Sequence, residues 1–340
     1  MLERRTAAAL LGLALVAISA RPAGAQPVSW KVAVFGPPRP ATASIEFLAK
    51  EVAARTGGQI KIEPVYAEAL SKATEMLDGL KAEAFEAALL CASYYPGKLP
   101  VFTVLDLAML TPDNIMAQAR VQMALAEHPV MQQELKRWGI RMLLPTPLPQ
   151  YQMMGKKRIT RVEDFKGVRI RVSGEMAKVL EDFGAVKSLV PAPETYTALE
   201  RGVVDMITFP GTYGFASFRL HEISRYYIDK ISLGTQPCFW AVTEGAWGKL
   251  PAGHQKLMLD LREPAARAAM QAFAAADGKD YPEFKARGIE VINFPPAERA
   301  KLAANAGKHW QEWVADKERR GIPARQVLEF VHAKIKEYAR

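Results

Sequence analysis

The sequence predicts an α/β protein of two units, each a largely parallel sheet with helices on both faces. Three observations carry this. Strand-like and helix-like segments alternate from Trp30 to Cys91, and the same alternation begins again at Tyr151. Between the two runs lies Pro145-Thr146-Pro147-Leu148-Pro149, a proline density that no strand or helix interior accommodates, so the chain crosses between units there.

In order along the chain, Trp30 to Phe35 alternates as a strand and stops at Gly36-Pro37-Pro38. Ser44 to Thr56 then carries Ile45, Leu48, Ala49 and Val52 at helical spacing, and Gly57-Gly58 closes that helix. Ile60 to Val65 reads as a second strand, Lys72 to Ala82 as a helix and Ala87 to Cys91 as a third strand. A helical stretch from Asp113 to Trp138 leads to strand-like Ile140 to Leu144. The second unit repeats the logic: strands at Tyr151 to Met154, Val168 to Val172, Ser188 to Val190 and Val204 to Phe209, with helices at Glu175 to Phe183 and Glu194 to Arg201. Ile231 to Val242 is strand-like and returns the chain to the first unit. Beyond Pro251 the pattern is helical, with Gln255 to Asp277 and Pro323 to Tyr338 as its long members.

The first 25 residues stand apart. Arg4 and Arg5 precede an apolar run from Ala7 to Ala20, and Ala23-Gly24-Ala25 places small residues at a cleavage point. This is the pattern of a secretory signal cleaved near Ala25, its apolar run shorter than the ~20 residues a bilayer-spanning helix needs. The mature chain is expected to be soluble and exported. Export permits a disulfide between Cys91 and Cys238, but both sit in apolar, strand-like segments and read as two free, buried thiols.

Composition narrows the function. Of 340 residues, 45 are Lys or Arg and 36 Asp or Glu, a formal charge of +9. Because the basic residues are scattered among acids, attraction for small anions fits better than nucleic-acid binding. Two cysteines cannot build a disulfide scaffold or a four-thiolate zinc site. His128, His221, His254, His309 and His332 are isolated from one another, and no nucleophile elbow, phosphate loop or dinucleotide fingerprint is present. No catalytic residue, metal site or cofactor is expected. What stands out is Val168-Arg169-Ile170-Arg171-Val172, in which two arginines share one face of a strand. Arg171 falls at the carboxyl end, where sheets of this kind bind ligands; if the sheet is covered on both faces at least one of the two needs an anionic partner, while the spacing equally allows both to be edge-exposed or bridged to Glu or Asp.

At these residues the chain resembles a known family, the DctP substrate-binding proteins of tripartite ATP-independent periplasmic (TRAP) transporters. The resemblance covers nearly the whole mature chain. It is carried by Phe47-Leu48-Ala49-Lys50-Glu51-Val52, Leu77-Asp78-Gly79-Leu80-Lys81 and Tyr95-Pro96-Gly97-Lys98-Leu99-Pro100. The most specific stretches are Val162 to Val172 and, after Pro191, Glu194 to Asp205.

The resemblance implies a hinged periplasmic binding protein, with a ligand cleft between two domains and a long helix spanning both. The first domain would comprise residues 26–148 and about 235–275, the second residues 149–234 and about 276–340. It further implies a periplasmic receptor, by default monomeric, that captures a small organic acid and delivers it to a sodium-driven membrane permease without performing a reaction. An alternative partner is a membrane sensor, and a more distant alternative is an exported enzyme acting on an organic acid.

Arg171 matches the family arginine that holds the substrate carboxylate, while Arg169 reads as structural and Asp205 as the holder of a turn. Positions that are polar or charged in members binding sugar acids align here with Phe35, Cys91, Tyr94, Tyr151 and Phe209. With Tyr213 and Trp240 these would line the pocket. Such a lining favours an aromatic or hydrophobic monocarboxylate, or a branched 2-oxo acid, over a C4-dicarboxylate or sialic acid.

Overall fold

A computed structural model describes residues 27–338, so the expected leader, residues 1–25, lies outside the described residues. The chain opens with strand β1 (Val28–Ala33), helix α1 (Ala43–Arg55), β2 (Ile60–Val65), α2 (Met76–Lys81) and β3 (Ala87–Cys91). These are the strand and helix alternations expected, and β1 runs parallel to both β2 and β3.

The long helix expected from Asp113 to Trp138 is two helices, α3 (Ile115–Ala126) and α4 (Pro129–Arg137). The break has a local cause. Pro129 has no N–H to continue α3 but suits the first turn of α4, where the His128 ring nitrogen caps the N–H of Val130 at 3.3 Å. β4 (Ile140–Thr146) and β5 (Tyr151–Gly155) follow, and the proline segment between them carries the chain from one sheet to the other.

The second unit contains β6 (Arg169–Arg171), α5 (Lys178–Glu181), β7 (Val186–Ser188), α6 (Thr195–Glu200), β8 (Met206–Pro210), α7 (Tyr213–Ser217) and β9 (Tyr226–Asp229). The chain then returns through β10 (Cys238–Thr243), α8 (Glu244–Gly248), α9 (Ala252–Asp260) and α10 (Arg262–Ala286). It ends with β11 (Glu290–Asn293), α11 (Pro296–Arg319) and α12 (Ala324–Tyr338).

Two sheets result, five-stranded in the order β2-β1-β3-β10-β4 and six-stranded in the order β11-β9-β5-β8-β6-β7. Neither is as parallel as expected. The strands adjoining the crossings reverse the direction: β10 is antiparallel to β3 and β4, and β5 is antiparallel to β8 and β9. Of the strand expected at Ile231 to Val242, only Cys238–Thr243 pairs, because Ile231 to Pro237 is itself the second crossing. Strands β9 and β11 were not foreseen. They pair in parallel with each other, each being short and bordered by charged residues that obscure a period of two.

Helix α10 touches α1, α3 and β4 of the first unit and α7 and β11 of the second, so it spans both. The last helix, α12, lies against α3 of the first unit and also against α11, with Ala324, Val327, Leu328 and Val331 as its buried stripe. Among the described residues no helix is long and apolar enough to cross a membrane.

Candidate functional site

The strand ends of both sheets converge on one cavity, as the location of ligands in open α/β sheets requires. Phe35 and Arg39 follow β1, Leu89 and Cys91 end β3, and Tyr94 lies in the next turn. From the second unit come Tyr151 at the start of β5, Phe209 near the end of β8, and Tyr213 and Phe218 at the two ends of α7. The enclosed space is narrow, about 30 Å³.

The aromatic groups form an ordered lattice. Phe209 stacks on Phe218 with centroids 5.1 Å apart and planes 5° apart, and Phe35 meets Tyr94 edge-on at 5.9 Å. Tyr151 is buried and donates its hydroxyl to Gln236 Oε1 at 2.8 Å, and Gln236 in turn donates to Ser93. Burial pushes the Tyr151 and Tyr213 hydroxyls well above their ordinary range, so both remain neutral.

Arg171 is fully buried at the end of β6. Its Nε donates to the Val190 carbonyl and its Nη1 to the Thr208 carbonyl, both at 2.9 Å. Its Nη2 lies 3.4 Å from the Tyr94 hydroxyl, and the guanidinium stands 4.7 Å from the centre of the Phe209 ring. Arg171 is not itself among the residues lining the cavity, but its two neighbours Phe209 and Tyr94 are. No carboxylate pairs with it among the described residues. The neighbouring Arg169 is the opposite case: exposed, it is held by both carboxylate oxygens of Asp205 at 2.8 and 3.0 Å. Asp205 also accepts the Arg169 backbone N–H at 3.0 Å, which ties β6 to the start of β8.

Two expectations are corrected. Cys91 and Cys238 are not free thiols but a disulfide. Local sequence could not reveal this, because the pairing depends on β10 returning antiparallel beside β3 with the two cysteines directly opposite, Cα atoms 4.0 Å apart. Both line the cavity. Trp240 does not. It shares the face of Cys238 but sits one pleat deeper, where its Nε1 donates to Ser44 of α1 at 3.0 Å.

Sequence reasoning missed Arg39, Phe218 and Gln236. Arg39 lines the cavity while being only 9% exposed. Its signal was available: it is the only charged residue from Gly36 to Thr42, in the loop at the carboxyl end of a strand.

The profile of bacterial extracellular solute-binding protein, family 7 (DctP), matches residues 33–317. The chain belongs to this family. DctP proteins are TRAP receptors, periplasmic proteins that bind small organic acids for transport and are not enzymes.

A similar relative is the monocarboxylate 2-oxoacid-binding periplasmic protein of Nostoc sp., 26% identical over 295 residues, covering 80% of this chain and 75% of the relative. Among solved structures, a marine metagenome TRAP solute-binding protein specific for aromatic acid ligands, crystallised with 3-hydroxybenzoate, superposes with a TM-score of 0.83. It is 20% identical, with 93% of this chain and 100% of that one covered. A TRAP solute-binding protein from Rhodoferax ferrireducens in complex with copurified benzoate also gives 0.83 at 20% identity, over 92% and 98% of the two chains. At these identities the likeness establishes the DctP fold.

Proposed function

We propose that this DctP receptor captures a small carboxylate with an aromatic or hydrophobic body, a monocarboxylate or 2-oxo acid, and passes it to a sodium-driven membrane permease. The observation that carries the reading is Arg171: a fully buried guanidinium with no carboxylate partner among the described residues, held in place by two backbone carbonyls. A buried cation without a counter-charge is costly, and a ligand carboxylate reaching its Nη2 edge supplies that charge. Around it stand Phe35, Tyr94, Tyr151, Phe209 and Tyr213, whose rings offer apolar contact area and a place to stack. The Nostoc relative's 2-oxo acids and the aromatic acids of the two crystal structures are ligands of this description.

A thermal-shift screen tests the proposal, using benzoates, branched 2-oxo acids, C4-dicarboxylates and sugar acids. A ligand at ~100 times its Kd adds ~2.7 kcal/mol of stability. Shifts confined to the first two classes are expected. In Arg171→Ala and Arg171→Lys the affinity of such a ligand should fall by about tenfold or more, as removal of a charge-assisted hydrogen bond does. An affinity within about threefold of wild type in both variants would exclude Arg171 as the anchor.

A further inference from the structure

The cavity carries a second cation that the proposed carboxylate anchor does not use. Arg39 Nη1 donates to the Phe35 carbonyl at 2.6 Å and to the Pro37 carbonyl at 3.0 Å, which fixes the side chain against its own loop. Its Nε and Nη2 have no hydrogen-bond acceptor among the described residues, and no carboxylate pairs with it. Glu46, the acid on the adjoining helix, is engaged by the hydroxyls of Thr42 and Tyr66 instead. Burial lowers the proton affinity of Arg39, the expected response of a cation lacking a counter-charge.

Position gives this cation a direction. The Arg39 guanidinium lies 4.8 Å from the centre of Phe35 and 5.8 Å from that of Phe218. Phe218 stacks on Phe209, and Phe209 carries Arg171 on its ring. The two guanidiniums thus bracket a stacked phenylalanine pair, Arg39 contributed by the first unit and Arg171 by the second. Gly36 keeps the loop close: a Cβ there would meet the Phe218 ring at 2.9 Å and Arg39 Nη1 at 3.1 Å, and its φ of +70° favours glycine in any case.

We propose that Arg39 is a second ligand-binding residue, reading through its Nε and Nη2 edge an oxygen on the ligand body remote from the carboxylate. The receptor then prefers oxygen-bearing aromatic acids to plain hydrocarbon ones. This rests on the carboxylate reading of Arg171 and adds the feature that selects among such acids. A hydrocarbon ring leaves the three N–H groups of that edge without an acceptor, whereas a ring hydroxyl oxygen accepts from them.

The test is isothermal titration of the wild-type protein, Arg39→Met, Arg39→Lys and Arg171→Lys with benzoate, 3-hydroxybenzoate and 4-methyl-2-oxopentanoate. Wild type should bind 3-hydroxybenzoate about tenfold or more tighter than benzoate. In Arg39→Met the ratio should fall to within about threefold of unity, and Arg39→Lys should keep part of the preference. Arg171→Lys should weaken both benzoates alike and leave their ratio unchanged. An unchanged ratio in Arg39→Met, or no preference in wild type, overturns the inference. If Arg39→Met does not fold, the wild-type series of 2-, 3- and 4-hydroxybenzoate decides: a gain confined to positions away from the carboxylate supports Arg39, and equal gains at all three overturn it. A wild-type protein that takes 4-methyl-2-oxopentanoate but neither benzoate overturns the role of Arg39 and leaves the anchor standing. One that takes none of the three overturns both.

Discussion

Asp106 accepts the backbone N–H of Glu175 at 2.8 Å and the hydroxyl of Ser173 at 3.1 Å, so the 3-10 turn Phe102–Asp106 of the first unit is clasped to the segment that follows β6 in the second. Gly174 sits between the two donors with φ +31°, and any Cβ there would overlap the Asp106 carboxylate. The contact is fully buried on the Asp106 side.

Burial pushes the Asp106 carboxyl up to about 8, with Glu175 adding like-charge repulsion and Lys187 opposing it. In the unfolded chain the same group releases its proton near 3.8. The folded protein therefore binds more protons between these values, and this group's contribution to stability is lost as pH rises toward 8. Asp106→Asn keeps an acceptor for Glu175 and gains a donor for Ser173, but it cannot titrate. Melting temperatures at pH 5, 6.5 and 8 should decline less steeply in the variant, and parallel profiles would refute the assignment.

The disulfide closes a sequence separation of 147 residues between neighbouring strands. Chain-entropy reasoning puts the stabilisation from so long a loop at about 5 kcal/mol, the upper end of what such bonds contribute. Reduction should lower the melting temperature by several degrees. A Cys91→Ala, Cys238→Ala double variant should melt with the reduced protein and show no response to reductant, whereas equal melting of oxidised and reduced wild type would contradict this role.

Asp205 should matter for stability and not for binding. Asp205→Ala removes the acceptor of the Arg169 backbone N–H, a loss of about 1 kcal/mol. Denaturant titration should register that loss while ligand affinity stays within about threefold of wild type. A tenfold loss of affinity would place Asp205 in the binding machinery instead.

Phe209 and Trp240 separate the two roles that aromatic residues play here. Phe209 lines the cavity and carries the Arg171 guanidinium against its ring, so Phe209→Ala should weaken ligand binding by about tenfold. Trp240→Phe breaks the bond to Ser44 and should cost about 1 kcal/mol of stability without altering affinity. Titration calorimetry on both variants, with unfolding measured in parallel, checks the pair.

What the sequence made legible follows from how local each signal is. Strands and helices with a clear period, such as Val28–Ala33, Ala43–Arg55 and Ala87–Cys91, emerge close to where the pattern places them. Arg171 is conspicuous for the same reason, one of two arginines in a short apolar alternation and the one at its carboxyl end. The disulfide, the depth of Trp240 and the antiparallel direction of β10 all depend on which strand arrives beside which. No window of neighbouring residues contains that information. Arg39 was overlooked because a charged residue in a proline-rich loop ordinarily faces solvent, whereas this one folds back between Phe35 and Phe218.

The strand order β2-β1-β3-β10-β4 has a consequence for biosynthesis. β3 ends at Cys91 and β4 at Thr146, yet the strand that joins them does not begin until Cys238. A chain made from its N-terminus therefore presents two unpaired strand edges for as long as it takes to synthesise the whole intervening unit. Such edges template pairing with other chains. The nascent protein should depend on a holding chaperone until β10 inserts, and a truncation ending before Cys238 should aggregate even though most of the second sheet is already encoded in it.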